Sequence, residues 1–285
     1  MTEAERAIVR NAYAKQIVHA AGTDDPRLEE ALATIRREDF LPPPPWQIMH
    51  LASGSSAGPV ADAVYLYQDA PVAILAEKRL NNGQPSFLTR LIAAGNFEAG
   101  AHAVHIGTGT GYYTAVIGRL VGPTGRVTGI EIEPGLAAQA ASNLARFPHV
   151  RVVSGDGTAL PLDPADVVFV NAGAARPADA WLDALKPEGR LILPLTLGFT
   201  TEQGQAMTRG AVFRITRQAD GYAARCLSRT VIYPCAGSRD RDAEAALAAA
   251  FAKDGIGRVT RLHRTDDLPE DRCWLRAPGW SLAYD

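Results

Sequence analysis

The sequence predicts an α/β fold: a parallel central sheet preceded by N-terminal helices and followed by a C-terminal β/α extension. Three observations carry that expectation. β-rich runs alternate with helical ones from about residue 100, a glycine-rich turn sits at the first strand-to-helix junction, and apolar residues near the start recur at helical spacing. Alternation of this kind closes a parallel sheet through right-handed crossovers, because a twisted strand feeding a right-handed helix packs back onto the sheet only that way.

In chain order, Ala4, Ile8, Ala12, Ile17 and Ala20 mark a helix over about 2–20, and a second helix is expected over about 26–37. Pro42 to Pro45 break any regular element, and the small, polar segment LASGSSAGPVADA (51–63) reads as a loop or an ordered lid over a site. From there AVHIG (103–107), RVTGIEIE (126–133), VRVVSGD (150–156), DVVFVNAG (166–173) and GRLILPL (189–195) are the predicted strands. Between them GYYTAVIGRLVG (111–122), PGLAAQAASNLARF (134–147) and ADAWLDALK (178–186) are the predicted helices. GAVFRITRQ and YAARCLSRTVIYP then form two antiparallel strands turning at Asp220-Gly221. A helix over about 240–253 and short strands near RVTRLHR and CWLRA complete the chain. Without an internal repeat or low-complexity linker, the organisation is one main domain with additions: a helical region and loop over 1–78, a core over 79–205, and an extension over 206–285 packed on the core. Trp274 and Trp280 supply the apolar surface for that packing or for a partner.

Bulk properties narrow the function classes. Lys plus Arg total 29 against 31 for Asp plus Glu, so there is no electrostatic reason to expect nucleic acid or an anionic membrane as partner. Cys226, Cys235 and Cys273 are too few and too scattered for a disulfide framework and form no CxxC pair, which fits a reducing, cytoplasmic setting. The first residues lack the uninterrupted apolar run of a signal peptide, and no stretch approaches the roughly 20 apolar residues of a membrane span. The sequence sets no oligomeric state.

The chemistry-bearing signal is Gly107-Thr108-Gly109-Thr110-Gly111, between a predicted strand and a predicted helix. Glycines allow a tight turn and close approach of a ligand, and the following helix N-terminus favours polar or anionic groups. Dinucleotide sites usually show G-x-G-x-x-G, whereas G-x-G-x-G fits the methionine half of S-adenosylmethionine, which has no pyrophosphate to hold. A purely structural turn is the alternative. On the next strand Glu131 lies 20 residues after Gly111, where a carboxylate can accept both ribose hydroxyls. Glu133 is the other candidate, although before Pro134 it also suits the first turn of the next helix. Beyond the third strand, Asp156 followed by Gly157 can accept the adenine amino group. One such turn is ordinary; three at consecutive strand ends match the edge where open parallel sheets gather ligands. Together they predict a Rossmann-like sheet of the S-adenosylmethionine-dependent methyltransferase kind, with S-adenosyl-L-methionine as cofactor.

These segments together resemble the protein-L-isoaspartate O-methyltransferase family. The likeness covers roughly 25–235 and rests on GTGTGYYTAVIGRLVG, GIEIEPGLA, GDGTALP and ADVVFVNAGAARPADAWLDALKPEGRLILPL, with IRREDFLPP and GQPSFLTRLI upstream. It implies transfer of the donor methyl to the side-chain carboxylate of an isoaspartyl residue in a protein or peptide, the first step of its repair. A carboxylate is already a nucleophile at neutral pH, so catalysis would be mostly proximity and orientation. No metal is required, and His19, His50, His102, His105, His149 and His263 show no ligand spacing.

The acceptor side departs from the family pattern. Where the family typically has Thr-Ile-Ser before Gln-Pro, this chain has Asn81-Asn82-Gly83 before Gln84-Pro85, so the hydroxyl expected at 83 is missing. Asn82 or Ser86 can donate in its place, with Gln84 between them; equally, the Asn-Gly pair is a turn that caps the helix PSFLTRLIAAG. Asn171 stands where relatives carry small or hydroxyl residues, at a position that the resemblance puts close to the transferred methyl. These departures leave room for a different small-molecule or dedicated peptide acceptor, or for a non-catalytic domain that only binds the donor.

Overall fold

Thr2 opens the first helix with a capping box: its hydroxyl accepts from the Glu5 amide, and the Glu5 carboxylate accepts from the Thr2 amide at 2.7 Å. The structure, a computed structural model, describes residues 2–49, 58–78, 80–200, 204 and 206–285. In chain order the helices are α1 (Glu3–Ala21), α2 (Pro26–Thr34), α3 (Pro85–Gly95), α4 (Tyr112–Val121), α5 (Pro134–Asn143), α6 (Asp179–Asp183) and α7 (Arg241–Phe251). The strands are β1 (Ala73–Leu75), β2 (Leu80–Asn81), β3 (His102–Ile106), β4 (Arg126–Glu131), β5 (Val150–Ser154), β6 (Ala165–Val170), β7 (Leu185–Thr200), β8 (Ala206–Gln218), β9 (Gly221–Ile232), β10 (Arg261–His263), β11 (Cys273–Ala277) and β12 (Trp280–Ala283). The expected strand-helix alternation is present. Two compact units emerge: Met1–Ala101 with Thr108–Ser154, and His102–Gly107 with Gly155–Asp285.

In the first unit β4 and β5 pair in parallel, from Val127 opposite Val150 to Glu131 opposite Ser154. α4 is buried along its length except at Arg119, consistent with its near-continuous apolar sequence. The second predicted helix stops three residues early, at Thr34. Ile35 is extended and buried, and a 3-10 turn over Arg37–Phe40 then directs Arg37 and Phe40 inward. Arg37 is 0 % exposed; its guanidinium donates to the carbonyls of Leu66, Gln68 and Ala70 and lies over the rings of Tyr13 and Tyr112 at 5.7 and 5.9 Å. That one side chain pins the 66–70 segment from below. The loop or lid expected over 51–63 lies outside the described residues as far as 57; beyond it, Val60 pairs with Trp46.

The second unit carries a mixed sheet in the order β11-β12-β10-β9-β8-β7-β6-β3. β3, β6 and β7 are parallel, and β7, β8 and β9 are long antiparallel neighbours. The helix expected over 178–186 shrinks to α6, because Leu185 already pairs with Ala165 and β7 begins there. The β8–β9 turn falls one residue earlier than expected, at 219–220, with Gln218 opposite Gly221. β12 escaped the sequence reading; it returns from β11 through Pro278-Gly279, with Gly279 at φ 77°, and all four of its residues are buried. Trp274 and Trp280 are both buried, and Trp274 meets Phe213 of β8 and Phe251 of α7. Both tryptophans are therefore enclosed rather than displayed, and the ring partners of Trp274 come from within 206–285 itself.

Candidate functional site

The glycine turn follows β3 and leads into α4, and Gly107, Gly109 and Gly111 sit at φ 80°, 57° and 98°. Such φ values strain any residue with a Cβ, so the three glycines are required by the backbone itself. Space adds a second demand at Gly111, where a Cβ would come within 2.9 Å of Leu144. Thr108 and Thr110 are buried between them, and the Thr108 amide donates to the Ile130 carbonyl at 3.2 Å, tying the turn to β4.

Glu131 ends β4 and is 6 % exposed. Its Oε2 accepts from the Gly109 amide at 2.7 Å and its Oε1 from the Glu133 amide at 3.0 Å, so the carboxylate is fastened to the turn it follows by 22 residues. Burial pushes its pKa above the ordinary carboxylate value, and the backbone amides of Glu133, Gly109 and Ile132 offset only part of that. A carboxylate has about four acceptor positions, so each oxygen keeps one free for a hydroxyl. Glu133 differs: it pairs with Lys78 at 2.5 Å and is more exposed. The turn and Glu131 thus fit a diol-bearing ligand, while Glu133 is spent on an ion pair.

On the acceptor segment, Asn82 is buried, its Oδ1 accepts from the Val72 amide at 2.8 Å, and its own amide donates to the Val72 carbonyl. Its side-chain nitrogen has no protein partner among the described residues. Asn81 Oδ1 accepts from the Gly83 amide, an Asx turn, and Gly83 takes φ 80°. Gln84 precedes α3, and the cap comes from elsewhere in the chain. Asp69 accepts from Gln84 Nε2 at 3.0 Å, from the Ser86 amide at 2.8 Å and from Ser86 Oγ at 2.6 Å. An anion at this helix N-terminus satisfies its open amides. Asp69 was missed from the sequence; the signal was a lone acid inside the mostly apolar run VYLYQDAPVAIL.

In the second unit, Asn171 follows β6. Its amide donates to the Ile106 carbonyl at 2.8 Å, and a Cβ on Gly107 would lie 3.2 Å from its carbonyl oxygen. The Asn171 side chain is half-buried and unpartnered among the described residues. His105 on β3 is fully buried, and desolvation drives its pKa down to about 3, so it stays neutral at neutral pH.

Asp156 stands just beyond β5, and its Oδ1 accepts from the Thr158 amide at 2.9 Å and the Thr158 hydroxyl at 2.8 Å. Buried Trp181 donates from Nε1 to the Gly157 carbonyl at 2.7 Å, bracing this turn. Over the carboxylate lies Gly237, where a Cβ would sit 2.2 Å from Asp156 Oδ2. Gly237 belongs to a strap, Tyr233 to Arg239, that also fastens the segment after β6. Gly173 donates to Tyr233 O and accepts from Cys235, Ala175 donates to Ser238 O, and Arg239 Nη1 donates to Gly173 O at 3.0 Å. Sequence reading gave this strap no role.

Comparison with known proteins places the sequence in a family. The model of the family described as protein-L-isoaspartate(D-aspartate) O-methyltransferase matches residues 9–240. A protein-L-isoaspartate O-methyltransferase of Ignicoccus hospitalis is 28% identical over 238 residues, 82% of this chain and 98% of its own length. One from Rhodopseudomonas palustris is 32% identical over 196 residues, 67% of this chain and 78% of its own. Among solved structures, a protein-L-isoaspartate O-methyltransferase aligns with TM-score 0.63 at 21% identity, covering 90% of this chain and 74% of that one. A second, from Plasmodium falciparum in complex with S-adenosyl-L-homocysteine, aligns with TM-score 0.58 at 15% identity, covering 79% and 97%. The structural likenesses bear on the fold. Residues beyond 240, including α7 and β10 to β12, lie outside the family match.

Proposed function

Since this chain belongs to the protein-L-isoaspartate O-methyltransferase family and is an S-adenosylmethionine-dependent methyltransferase, we propose that it esterifies the side-chain carboxylate of L-isoaspartyl residues in proteins or peptides. The observation that carries this reading is the extent of the family match, whose residues 9–240 include the glycine turn, Glu131, Asp156 and the acceptor segment. The donor, when bound, supplies an electrophilic methyl; a carboxylate oxygen forms the new C–O bond as the C–S bond breaks, and no proton need move. The protein's task is therefore alignment and exclusion of water.

For the donor we assign Gly107, Thr108, Gly109, Thr110 and Gly111 to the methionine portion, Glu131 to the ribose and Asp156 with Gly157 to the base. On the acceptor side, Asn82 and Asn171 keep side-chain N–H groups able to orient a carboxylate. Gln84 and Ser86 donate to Asp69 and act by holding α3 and the preceding turn in position. A cytoplasmic setting is part of the same proposal; among the described residues no helix is long and apolar enough to cross a membrane. The test is to incubate the protein with labelled donor and matched isoaspartyl and aspartyl peptides. Label in the isoaspartyl peptide alone is the expected result. No label in either peptide, with donor binding intact by calorimetry, overturns the acceptor assignment.

Gly237 offers a sharper check on the base. Its backbone does not require glycine, yet a methyl there would meet the Asp156 carboxylate, so Gly237→Ala is expected to displace that carboxylate and weaken S-adenosylhomocysteine binding about tenfold (~1.4 kcal/mol). Wild type is also expected to prefer S-adenosylhomocysteine over its inosine analogue, and the variant to lose that preference. Calorimetry with the two ligands reads both effects; a preserved preference in the variant counts against the Asp156 assignment.

A further inference from the structure

The mixed sheet of the second unit overhangs at one end. Phe169 of β6 pairs with Ile192, but β7 continues to Thr200 with β8 and β9 beside it. On the overhang Leu195 is opposite Ala211, which is opposite Arg229, and Leu197 is opposite Arg209. Side chains alternate along a strand, so Leu197, Arg209 and Arg229 share one face. α7 lies across that face, and with it they line a cavity of about 450 Å³ to which the helix contributes Ala248, Phe251 and Ala252.

The two arginines are held but not neutralised. The Arg209 guanidinium lies 5.8 Å from the Phe199 ring centre and that of Arg229 5.2 Å from Phe251, so each is held over an aromatic face. Neither has a hydrogen bond or an ion pair with any described residue. Other arginines of this unit are neutralised: Arg239 pairs with Glu244, Arg261 with Asp220 and Arg264 with Asp179 and Asp183. Stacking lowers the entropy lost when a guanidinium is engaged and leaves its N–H edges for a planar carboxylate. An apolar floor between two such groups suits a short carboxylate side chain with its methylene stem.

We propose that this groove is an acidic subsite for the acceptor polypeptide, in which Arg209 and Arg229 receive an Asp or Glu side chain flanking the methylated residue; the inference rests on the isoaspartyl methyltransferase reading. Continuity favours a polypeptide over a free anion. The groove starts level with Leu195, which pairs with Ala174, three residues after Asn171. Leu197 lies about 13 Å beyond the level of Leu193, a span that about four extended residues cover. The acid is thus about three to five residues from the methylated one.

The experiment uses the full chain and isoaspartyl peptides identical except for one Glu or Gln, moved from two to six residues away on either side. At one or two of these positions Glu should lower KM about threefold to tenfold relative to Gln, with kcat unchanged and the gain shrinking as salt rises. The Arg209→Gln, Arg229→Gln double variant should methylate the Gln peptides as wild type does and lose the preference for Glu. Both arginines are exposed, so an unaltered melting temperature is expected for the variant. Equal KM for Glu and Gln at every position, or a preference surviving in the double variant, overturns the subsite. Failure of wild type to methylate any isoaspartyl peptide overturns the functional reading beneath it.

Discussion

Replacing Arg37 with methionine is expected to destabilise the protein by about 3 kcal/mol and to impair acceptor binding more than donor binding. Arg37 is fully buried, has no carboxylate partner among the described residues, and places its N–H groups on the carbonyls of Leu66, Gln68 and Ala70. Methionine preserves most of the volume but leaves the carbonyls of Leu66 and Ala70 without a donor, each costing about 1–3 kcal/mol if it stays dry, while Gln68 O still accepts from the Ala70 amide. Removing a buried charge offsets part of that loss, which is why the net is nearer one such group at its upper limit than two. The functional consequence follows from which carbonyls these are. They flank Asp69, whose carboxylate gathers Gln84, the Ser86 amide and the Ser86 hydroxyl at the start of α3. A loosened 66–70 segment should therefore raise KM for an isoaspartyl peptide while the donor dissociation constant changes little. Urea denaturation and steady-state kinetics on Arg37→Met measure the two effects; a stability within 1 kcal/mol of wild type would refute the role assigned to this side chain.

The glycine turn and the acid after it were legible as local structure, because each leaves a local signature. Three glycines at positive φ can be filled by little else, and an acid at the end of the next strand sits where the sheet itself directs it. Helix α3 was legible to the residue, since Pro85 suits the first turn and Asn96 the left-handed cap. What could not be read was set by contacts between distant positions. Gly237 matters through Asp156, and Thr158 reaches its carbonyl across 79 positions. Asp69 acts on Ser86 17 residues later, and a single acid in an apolar run reveals no such partner. The shortened α6 has the same origin: ADAWLDALK has helical propensity throughout, but pairing of Leu185 with Ala165 claims its last residues for β7.

Ser86 shows how a correct inventory of donors can still mislead about function. Its hydroxyl can donate one hydrogen bond, and in the folded chain that proton faces Asp69. Asn82 likewise commits its side-chain oxygen to Val72 and retains only its N–H groups. The turn reading and the binding reading of Asn82-Gly83 are therefore compatible: the oxygens of Asn81 and Asn82 build the turn, and the Asn82 nitrogen is left for a ligand.

Glu131 allows fold and donor binding to be separated. Glu131→Ala is expected to weaken S-adenosylhomocysteine binding about thirtyfold, roughly 2 kcal/mol, through loss of charge-assisted hydrogen bonds to the ribose. Glu131→Gln should lose most of that affinity too, since an amide keeps one acceptor oxygen and carries no charge. Its effect on stability should be small, for a reason visible in the titration. Because burial raises the carboxyl pKa, the folded state holds its proton more tightly than the unfolded chain does. The stabilisation linked to that proton is complete below the unfolded carboxylate range and is lost as pH rises through the higher folded value. At neutral pH the ionised group is thus held against a burial penalty that glutamine does not carry, which compensates for the weaker hold on the Gly109 and Glu133 amides. Donor affinity runs the other way with pH: in wild type it should fall once the pH drops into the raised carboxyl range, and in Glu131→Gln it should stay flat. Calorimetric titrations across that range, beside melting curves at neutral pH, test both. Wild-type affinity in Glu131→Gln at neutral pH would transfer the ribose role away from Glu131, and an unfolded variant would show that the amides of the turn depend on its charge.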